Sequence, residues 1–440
     1  MQVKIGTASE TVDADVATMV SESINSRIED LKALNHHIHS NPELCFKEFK
    51  AHDAIVAFLR KLNVVVTPHA YSIETSFEAE YGSGGRVVVF NAEYDALPEI
   101  GHACGHNLIA ISSIAGFLAV VAVLQKTGAP GRVRLLGTPA EEGGGGKVLL
   151  IANGAYKSVD ACLMAHPSPL HVNYGKEFNG DVYRPHVACE NLQVSFEGKT
   201  AHAAFAPWQG VNALDAVVLG YNAVSMLRQQ MKPTNRVHGI ISHGGLAANI
   251  IPNYGRVEYE VRAESVAETS ELKKQVMNCF LGASTATSCK MEVSSGPTYA
   301  DLVPNKTLST LFKDEMARIG LPMMCDLDTK EYVGGATDQG NVSYIVPSIH
   351  PIYGIKADEG FFNHTVGFTA AAITEDAFLR TIQVARGMAM SAWKMLSDDR
   401  LAEIVQKEFA ADHRNRSPEL LDIISGTGRE KNHIFCRCAY

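Results

Sequence analysis

The spacing of apolar residues divides the first part of the chain into alternating helices and strands. From Ser21 to Leu62 apolar positions recur at helical spacing, interrupted at residues 40–42 by Ser-Asn-Pro. The predicted elements that follow are a strand over 86–90, a helix over 108–124, a strand over 133–136, a helix over 147–153 and a strand over 161–164. This alternation predicts an α/β domain with a largely parallel sheet, whose ligands bind beyond the carboxyl ends of the strands.

From His186 onward the pattern changes. The predicted elements are a strand over 189–196, a helix over 211–231, strands over 237–242 and 256–262, a helix over 267–281 and a strand over 290–293. The order β-α-β-β-α-β is that of the ferredoxin-like unit. We therefore predict a domain, here called the inserted domain, over residues 186–296.

After Gly296-Pro297 the chain returns to α/β character and is expected to close with one long helix over 369–396. The stretch 397–440 is charged and is predicted to be irregular. The expected organisation is an α/β domain built from residues 20–185 and 297–400, the inserted domain, and a C-terminal extension over 401–440.

Composition narrows the function classes. The chain has 440 residues and a formal net charge of −9, without a cluster of Lys and Arg, so we expect no nucleic-acid partner. The N-terminal sequence lacks the basic and apolar regions of a signal peptide, and the apolar stretch 108–124 has the length of a buried helix, so no membrane partner is expected. Nine scattered cysteines indicate reduced thiols and a cytoplasmic protein.

Candidate metal ligands come directly after the first strand of the α/β domain. His102, Cys104 and His106 lie within five residues, before an apolar helix. Imidazole and thiolate suit zinc and related divalent ions. A buried cysteine beside chance histidines is the alternative, because free cysteine is often a core residue.

Further candidates follow other strands. Glu141 and Glu142 come after the strand over 133–136, His166 ends the strand over 161–164, and His364 lies between apolar segments. A hydrolytic metal site needs ligands and an acid/base group that need not be a ligand. Adjacent carboxylates fit this division of labour. They could also be solvated surface charges, but the glycine run at 143–146 favours close backbone approach.

Two other chemistries are weaker. A phosphate-binding loop requires Ser or Thr after its lysine, whereas Lys147 is followed by Val148. A nucleophilic Cys104 paired with His106 would leave the two glutamates and the other histidines without a role. The metal site explains more of the polar residues at the strand ends.

Several motifs together resemble the M20 metallopeptidases. They resemble in particular the amidohydrolase branch that includes aminoacylases, auxin-conjugate hydrolases, aminobenzoyl-glutamate hydrolases and β-alanyl-lysine dipeptidases. The resemblance covers about Ile28 to Lys394. It rests on HSNPE at 39–43, EYDALP at 93–98, HACGHN at 102–107, PAEEGG at 139–144, GKTAHA at 198–203 and NIIP at 249–252. Asn107 favours the aminobenzoyl-glutamate and β-alanyl-lysine hydrolases, because the auxin-conjugate enzymes usually carry Asp there.

The resemblance implies a metal-dependent exopeptidase-like α/β catalytic domain with an inserted lid and dimerisation domain. It also implies two divalent ions per chain, zinc or manganese with cobalt as a further option. Glu141 would remove a proton from the attacking water and then protonate the leaving amine, and Asp95 would orient a ligating histidine. The ligands carried over by motif are Cys104, His106, Glu142, His166 and His364.

In the inserted domain the resemblance assigns a catalytic role to His202, which would reach the oxyanion, often from the partner subunit of a homodimer. Asn249 and Arg262 match positions that hold the carboxylate of the substrate. Without the resemblance these three would be interpreted as a surface histidine, a turn asparagine and a salt-bridged arginine. The pair Thr337-Asp338 matches a loop near the site.

Two features depart from the family pattern. Glu93 stands where many relatives carry Asp, and the segment beyond about Asp399 has no counterpart. No proposed ligand is missing. The leading hypothesis is therefore an enzyme that cleaves the amide bond of an N-acyl amino acid or an unusual dipeptide. The alternative is a catalytically silent relative that binds such a molecule or serves as a scaffold.

Overall fold

The computed structural model describes residues 8–171, 177–413 and 418–426. Its helices are α1 Ala8–Asn25, α2 Ile28–Ser40, α3 Phe49–Lys61, α4 His106–Thr127, α5 Gly146–Ala152, α6 Ala213–Leu227, α7 Val266–Thr287, α8 Lys306–Arg318, α9 Gln339–Ser343, α10 Val366–Ala371, α11 Glu375–Ser397, α12 Asp399–His413 and α13 Pro418–Ser425. Its strands are β1 Val66–Pro68, β2 Phe77–Ser83, β3 Val87–Ala92, β4 Gly131–Gly137, β5 Ala161–Leu163, β6 His166–Pro169, β7 Gly180–Asp181, β8 Ala188–Glu197, β9 Arg236–His243, β10 Tyr254–Ala263, β11 Lys290–Ser295, β12 Ser348–Ile349 and β13 Ile352–Ile355.

The larger sheet belongs to the α/β domain and has six strands in the order β1-β2-β4-β3-β5-β12. The strands β4, β3, β5 and β12 are parallel to one another, and β1 and β2 are antiparallel additions at one edge. Every residue of β3 is buried, as expected for a parallel strand covered on both faces. A small sheet in the order β6-β13-β7, which the apolar pattern did not predict, lies beyond β5 in the chain.

The helix α4 forms the centre of the core. It packs against α1, α2, α11 and β3, and nearly all of its residues are buried. Its length and hydropathy would suffice to cross a membrane, but 94% of its most apolar stretch is buried inside the protein. The apolar stretch is therefore a core helix, as predicted from its length.

The inserted domain has a four-stranded antiparallel sheet in the order β11-β8-β10-β9. Numbered along this domain, the strand order is 4-1-3-2. Helices α6 and α7 pack together and against β8 and β10, around buried residues such as Phe196, Val257 and Phe280. The mixed α/β class with a ferredoxin-like inserted unit is confirmed.

Three predictions about local structure were wrong. The predicted helix over 369–396 is two helices, because the Thr374 side chain accepts a hydrogen bond from the amide of Ala377 and starts α11 afresh. The stretch after Ser397 was expected to be irregular, whereas α12 buries Ala402 and Val405 on one helical face. Cys45 is disulfide-bonded, so the expectation of reduced thiols holds only for the six other cysteines among the described residues.

Candidate metal centre

The polar residues at the strand ends meet at one place. Cys104 and His106 follow β3 at the start of α4, Glu141 and Glu142 follow β4, and His166 follows β5 as the first residue of β6. His364 reaches the same place from the loop before α10, and its backbone amide donates to the carbonyl of Ala103 (2.8 Å). Parallel strands place their carboxyl ends at the same edge of the sheet, so residues far apart in sequence become neighbours there.

The distances between ligand atoms are short. The Sγ atom of Cys104 is 3.3 Å from Nε2 of His166, and Nε2 of His364 is 3.3 Å from Oε1 of Glu142. The Nε2 atom of His106 is 3.8 Å from Oε2 of Glu141 and 3.9 Å from Oε1 of Glu142. Four groups with ligand atoms within 4.8 Å of one another result, namely Cys104-His106-His166, Cys104-Glu142-His364, His106-Glu141-Glu142 and Glu93-Glu141-Asp338.

Gly105 makes the junction between Cys104 and His106. Its φ of +78° lies in the left-handed region, and a Cβ atom there would stand 2.6 Å from Cγ of Pro167. The chain can therefore turn sharply from the loop into α4 only with glycine at this position. The turn directs Cys104 and His106 to the same centre.

Unpartnered buried atoms support metal binding at this centre. Among the described residues, Nε2 of His106 and Oε1 of Glu142 are buried and accept or donate no hydrogen bond. Such atoms are costly unless a ligand satisfies them. On its other side, His106 is held by Asp95, with 2.9 Å between Nδ1 and Oδ1. A carboxylate behind a histidine is a common support for a metal ligand, so the residues fit a divalent ion.

The pKa shifts describe a buried site with an excess of acidic groups. Burial disfavours the Cys104 thiolate, but the charge of His166 and the close approach of the His106, His166 and His364 rings hold the pKa of Cys104 well below its usual value. Burial, followed by the charges of Glu93 and Glu142, raises the pKa of Glu141 well above its usual value. Burial and the Cys104 charge raise the pKa of Glu142 to about 7. A divalent cation would relieve this excess.

A buried ion network adjoins the centre. The Nζ atom of Lys147, which is fully buried, contacts Glu93 and lies 2.5 Å from Oδ1 of Asp338. The backbone amide of Lys147 also donates to Oδ2 of Asp338 (2.9 Å). Glu93 reaches toward His106, with 3.5 Å between Oε2 and Nε2. Many relatives carry Asp where this chain has Glu93. The glutamate side chain is longer than that of aspartate, and here it reaches both Lys147 and His106.

The glycine run after Glu142 is used for close packing. A Cβ atom on Gly144 would come within 2.5 Å of the Phe46 ring, and one on Gly146 would come within 1.8 Å of the Pro139 carbonyl oxygen. The ammonium group of Lys147 is engaged by two carboxylates. The run therefore brings the Glu141-Glu142 turn against the protein interior, and the phosphate-loop alternative has no free cation here.

A cavity of about 350 Å³ opens onto this centre. Arg262 lines it; its guanidinium donates to Oε1 of Glu260 (2.8 Å) and to the carbonyl of Gly334 (2.8 Å). Four of the predicted ligands also line the cavity, Cys104, Glu142, His166 and His364, as does Glu141. The cavity lies between the α/β domain and the base of the inserted domain.

His202 and Asn249 lie elsewhere. Neither lines the cavity, and both are exposed on the inserted domain. They are linked to each other through the backbone, because the amide of Ala203 donates to the carbonyl of Asn249 (3.1 Å). The structure therefore brings together eight of the ten predicted site residues and leaves these two apart.

Sequence reasoning missed several residues around the cavity. His350 was not proposed as a site residue, yet it lines the cavity beside His166, with 5.4 Å between ring centroids. His186 and Tyr299, which also line the cavity, and Lys147 in the adjoining ion network were not proposed as site residues. Only Lys147 carried a usable signal, since a lysine after a glycine run in an apolar segment needs buried acidic partners.

Comparison with known proteins agrees with this geometry. Residues 191–281 match the peptidase dimerisation domain of the M20 family. The Xaa-Arg dipeptidase of Mus musculus is 42% identical over 403 residues, which cover 88% of this chain and 91% of that protein. One of the subunits of the Escherichia coli p-aminobenzoyl-glutamate hydrolase is 29% identical, covering 70% of this chain and 66% of that subunit.

The fold has solved counterparts. A Bacillus subtilis protein described as a dinuclear metal-binding peptidase of the M20 family superposes with a TM-score of 0.58 at 18% identity. The superposition covers 83% of this chain and 98% of that one. The motifs, the fold and the extended identity to the mouse dipeptidase lead to one conclusion: the chain belongs to the M20 family of metallopeptidases.

Proposed function

We propose that this M20-family enzyme hydrolyses the amide bond of a dipeptide or a small N-acyl amino acid with a free carboxylate. The observation that carries the proposal is the juxtaposition of Glu141 with the sulfur, imidazole and carboxylate donors in the wall of one cavity. The cavity volume of about 350 Å³ lies at the lower end of the range for small-molecule sites.

Two divalent ions are proposed to bind to Cys104, His106, Glu142, His166 and His364. Thiolate and imidazole donors favour zinc, and manganese or cobalt are further options. When bound, such ions polarise a carbonyl group and lower the pKa of water. Among these proposed ligands, Cys104, His106 and Glu142 each belong to two of the donor groups, and His166 and His364 belong to one each.

Glu141 is proposed as the group that moves protons. Its carboxylate lies at the cavity wall and is 10% exposed, so it can reach substrate and water there. It would take a proton from the attacking water as the water oxygen bonds to the carbonyl carbon. When the C–N bond breaks, it would return that proton to the leaving nitrogen.

Arg262 and Asn249 are proposed to bind the carboxylate of the substrate. The Arg262 guanidinium is held in the cavity wall by Glu260 and the carbonyl of Gly334, which fixes its plane. A fixed planar guanidinium suits a bidentate carboxylate. Asn249 and His202 would complete the site from a second copy of the chain, because neither lines the cavity of its own chain.

If Asn249 and His202 act from a second copy of the chain, the enzyme is a homodimer, and we propose that it forms through the inserted domain. The strand β9 forms an edge of its sheet, and both β9 and the neighbouring α6 expose large apolar residues. Among them are Ile240, 61% exposed, and Met226, 74% exposed. Exposed apolar residues beside an unpaired strand edge are typical of an interface. We also propose a cytoplasmic location, because six of the seven described cysteines form no disulfide.

Substrate screening tests the proposal. Dipeptides that end in arginine are the first panel, because the mouse and human relatives, 42% and 39% identical, are named Xaa-Arg dipeptidases. N-acyl amino acids and p-aminobenzoyl-glutamate form the second panel. We expect turnover that disappears after chelation and returns with added zinc, manganese or cobalt, with metal content measured on the same samples.

The variant Glu141→Gln separates chemistry from metal binding. It should retain the metal content of the wild type and lose turnover by about 100- to 10,000-fold. Near-normal turnover in this variant would refute the role of Glu141.

A further inference from the structure

The backbone beside Glu141 adopts an uncommon conformation. Ala140 has a φ of +61°, in the left-handed region that residues other than glycine seldom occupy. Its carbonyl accepts hydrogen bonds from the amides of Gly144 (3.1 Å) and Gly146 (3.3 Å). A conformation of this kind persists only where the surroundings determine it. At this turn the chain direction fixes where the next side chain, Glu141, points.

Glu48 fixes the upstream side of the turn. It precedes α3 and is fully buried, and its Oε1 accepts hydrogen bonds from the amides of Ala140 (2.9 Å) and Phe46 (2.9 Å). Ala140 and Glu48 are 92 residues apart in the chain, so this contact ties the catalytic turn to a separate part of the α/β domain. A carboxyl group buried among backbone amides is a rigid support.

Tyr299 fixes the downstream side. Its hydroxyl donates to the backbone carbonyl of Glu141 (2.5 Å) and accepts from the amide of Gly145 (2.9 Å). One side chain thus bridges the two ends of the Glu141-Gly145 turn. Tyr299 is 7% exposed and belongs to the segment that follows β11.

The side chain of Glu141 has no comparable support of its own. Over residues 8–171, 177–413 and 418–426 its carboxylate takes part in no hydrogen bond, and its nearest cationic partner is Nε2 of His106 at 3.8 Å. Glu142 differs, because its Oε1 atom forms an ion pair with Nε2 of His364 (3.3 Å) and its backbone amide donates to Oδ2 of Asp95 (2.9 Å). The direction of Glu141 therefore depends on its backbone.

We propose that Glu48 and Tyr299 are positioning residues for Glu141: they hold the amide of the preceding Ala140 and the carbonyl of Glu141, and so aim the Glu141 carboxylate at the cavity. The inference rests on the proposed function of Glu141 and concerns residues with no role in metal binding. A displacement of about 1 Å at a catalytic group costs roughly 100-fold in rate.

The test uses three variants of the full-length enzyme. Glu48→Ala removes the acceptor, Glu48→Gln keeps one acceptor oxygen, and Tyr299→Phe deletes only the hydroxyl. We expect Glu48→Ala and Tyr299→Phe to lower kcat by about 10- to 100-fold with KM and metal content unchanged. Glu48→Gln should recover most of kcat, because the amide oxygen can accept the same hydrogen bonds.

Matched controls exclude general loss of structure. Glu315 is buried to a similar degree on α8, where it pairs with Arg318 and Lys394, and Tyr156 donates its buried hydroxyl to Asn91. Glu315→Ala and Tyr156→Phe should leave kcat unchanged. Tyr299→Phe decides the matter if Glu48→Ala does not fold.

Three outcomes overturn the inference. They are a wild-type kcat in Tyr299→Phe, a rise in KM without a change in kcat, and a loss of metal in parallel with activity. Glu141→Gln, measured alongside, keeps the two proposals distinct. If that variant is inactive and Tyr299→Phe is normal, only the positioning role fails; if Glu141→Gln is active, the proposed function fails first.

Discussion

The α/β domain and the inserted domain differ in where they place polar and apolar side chains. The α/β domain gathers acidic groups, imidazoles and a thiolate into its interior, as at Cys104 and Glu141. The inserted domain buries an ordinary apolar core and instead leaves apolar residues such as Ile240 in solvent, together with His202. The proposed divalent ions would neutralise the acidic groups of the first region, and the proposed second copy of the chain would cover the apolar surface of the second.

The largest expected effect concerns the metal centre of the α/β domain. Replacing Cys104 by alanine removes the one thiolate among the proposed ligands, which belongs to two of the donor groups, so we expect metal loss and no detectable turnover. Elemental analysis and a hydrolysis assay measure both. Cys162→Ala is the control, because Cys162 is equally buried but burial raises its pKa to about 12. If Cys104→Ala keeps its full metal content, Cys104 is not a ligand.

The second prediction compares buried ion pairs in the two regions. Lys147→Met leaves Glu93 and Asp338 without their cation, and we expect the free energy of unfolding to fall by about 3–5 kcal/mol. Lys273→Met in the inserted domain breaks a pair with Glu190 (2.5 Å), but Lys273 is 22% exposed. Its effect should be clearly smaller. Equal losses in chemical denaturation would contradict the special status of the Lys147 network.

The third prediction concerns the proposed dimer interface of the inserted domain. Ile240→Asp with Met226→Asp places charges on the proposed interface, so the protein should sediment as a monomer with its metals retained. Its kcat should fall by about 100-fold or more, because the oxyanion donor proposed to come from the partner would be lost. Val293→Asp on β11, the opposite edge of the same sheet, should leave the dimer intact. An active monomer would exclude a role for the partner's residues.

The smallest effect concerns the boundary between the two regions. Burial lowers the pKa of His186 to about 4, so the folded protein keeps this ring neutral. The unfolded chain binds the proton near pH 6.5, and stability should therefore fall as the pH drops from 6.5 to 4, by up to roughly 3 kcal/mol. His186→Asn should flatten this part of the stability profile. The exposed His37→Asn should not, and an unchanged profile in His186→Asn would refute the assignment.

Much of the site could be predicted because its ligands follow strands. Cys104, Glu142 and His166 lie in the segments that follow β3, β4 and β5, and parallel strands end at one edge of a sheet. The helices after Ser397 were missed because charged residues mask the short apolar face that includes Ala402 and Val405. His350 was missed because a lone histidine in an apolar run is more often structural, and no local pattern shows that it faces a cavity.

The sequence by itself determined the fold class, the donor types and the family, because each is written in local motifs and in apolar periodicity. Tertiary structure alone decided which donor atoms lie within reach of one another and which buried carboxylates the Lys147 ammonium neutralises. It also decided that Glu48 and Tyr299, 92 and 158 residues from their partners at the turn, hold the backbone of Glu141. Hydrogen bonds between segments so distant leave no periodic trace in a sequence, since they depend only on where the folded chain brings an acceptor to a donor.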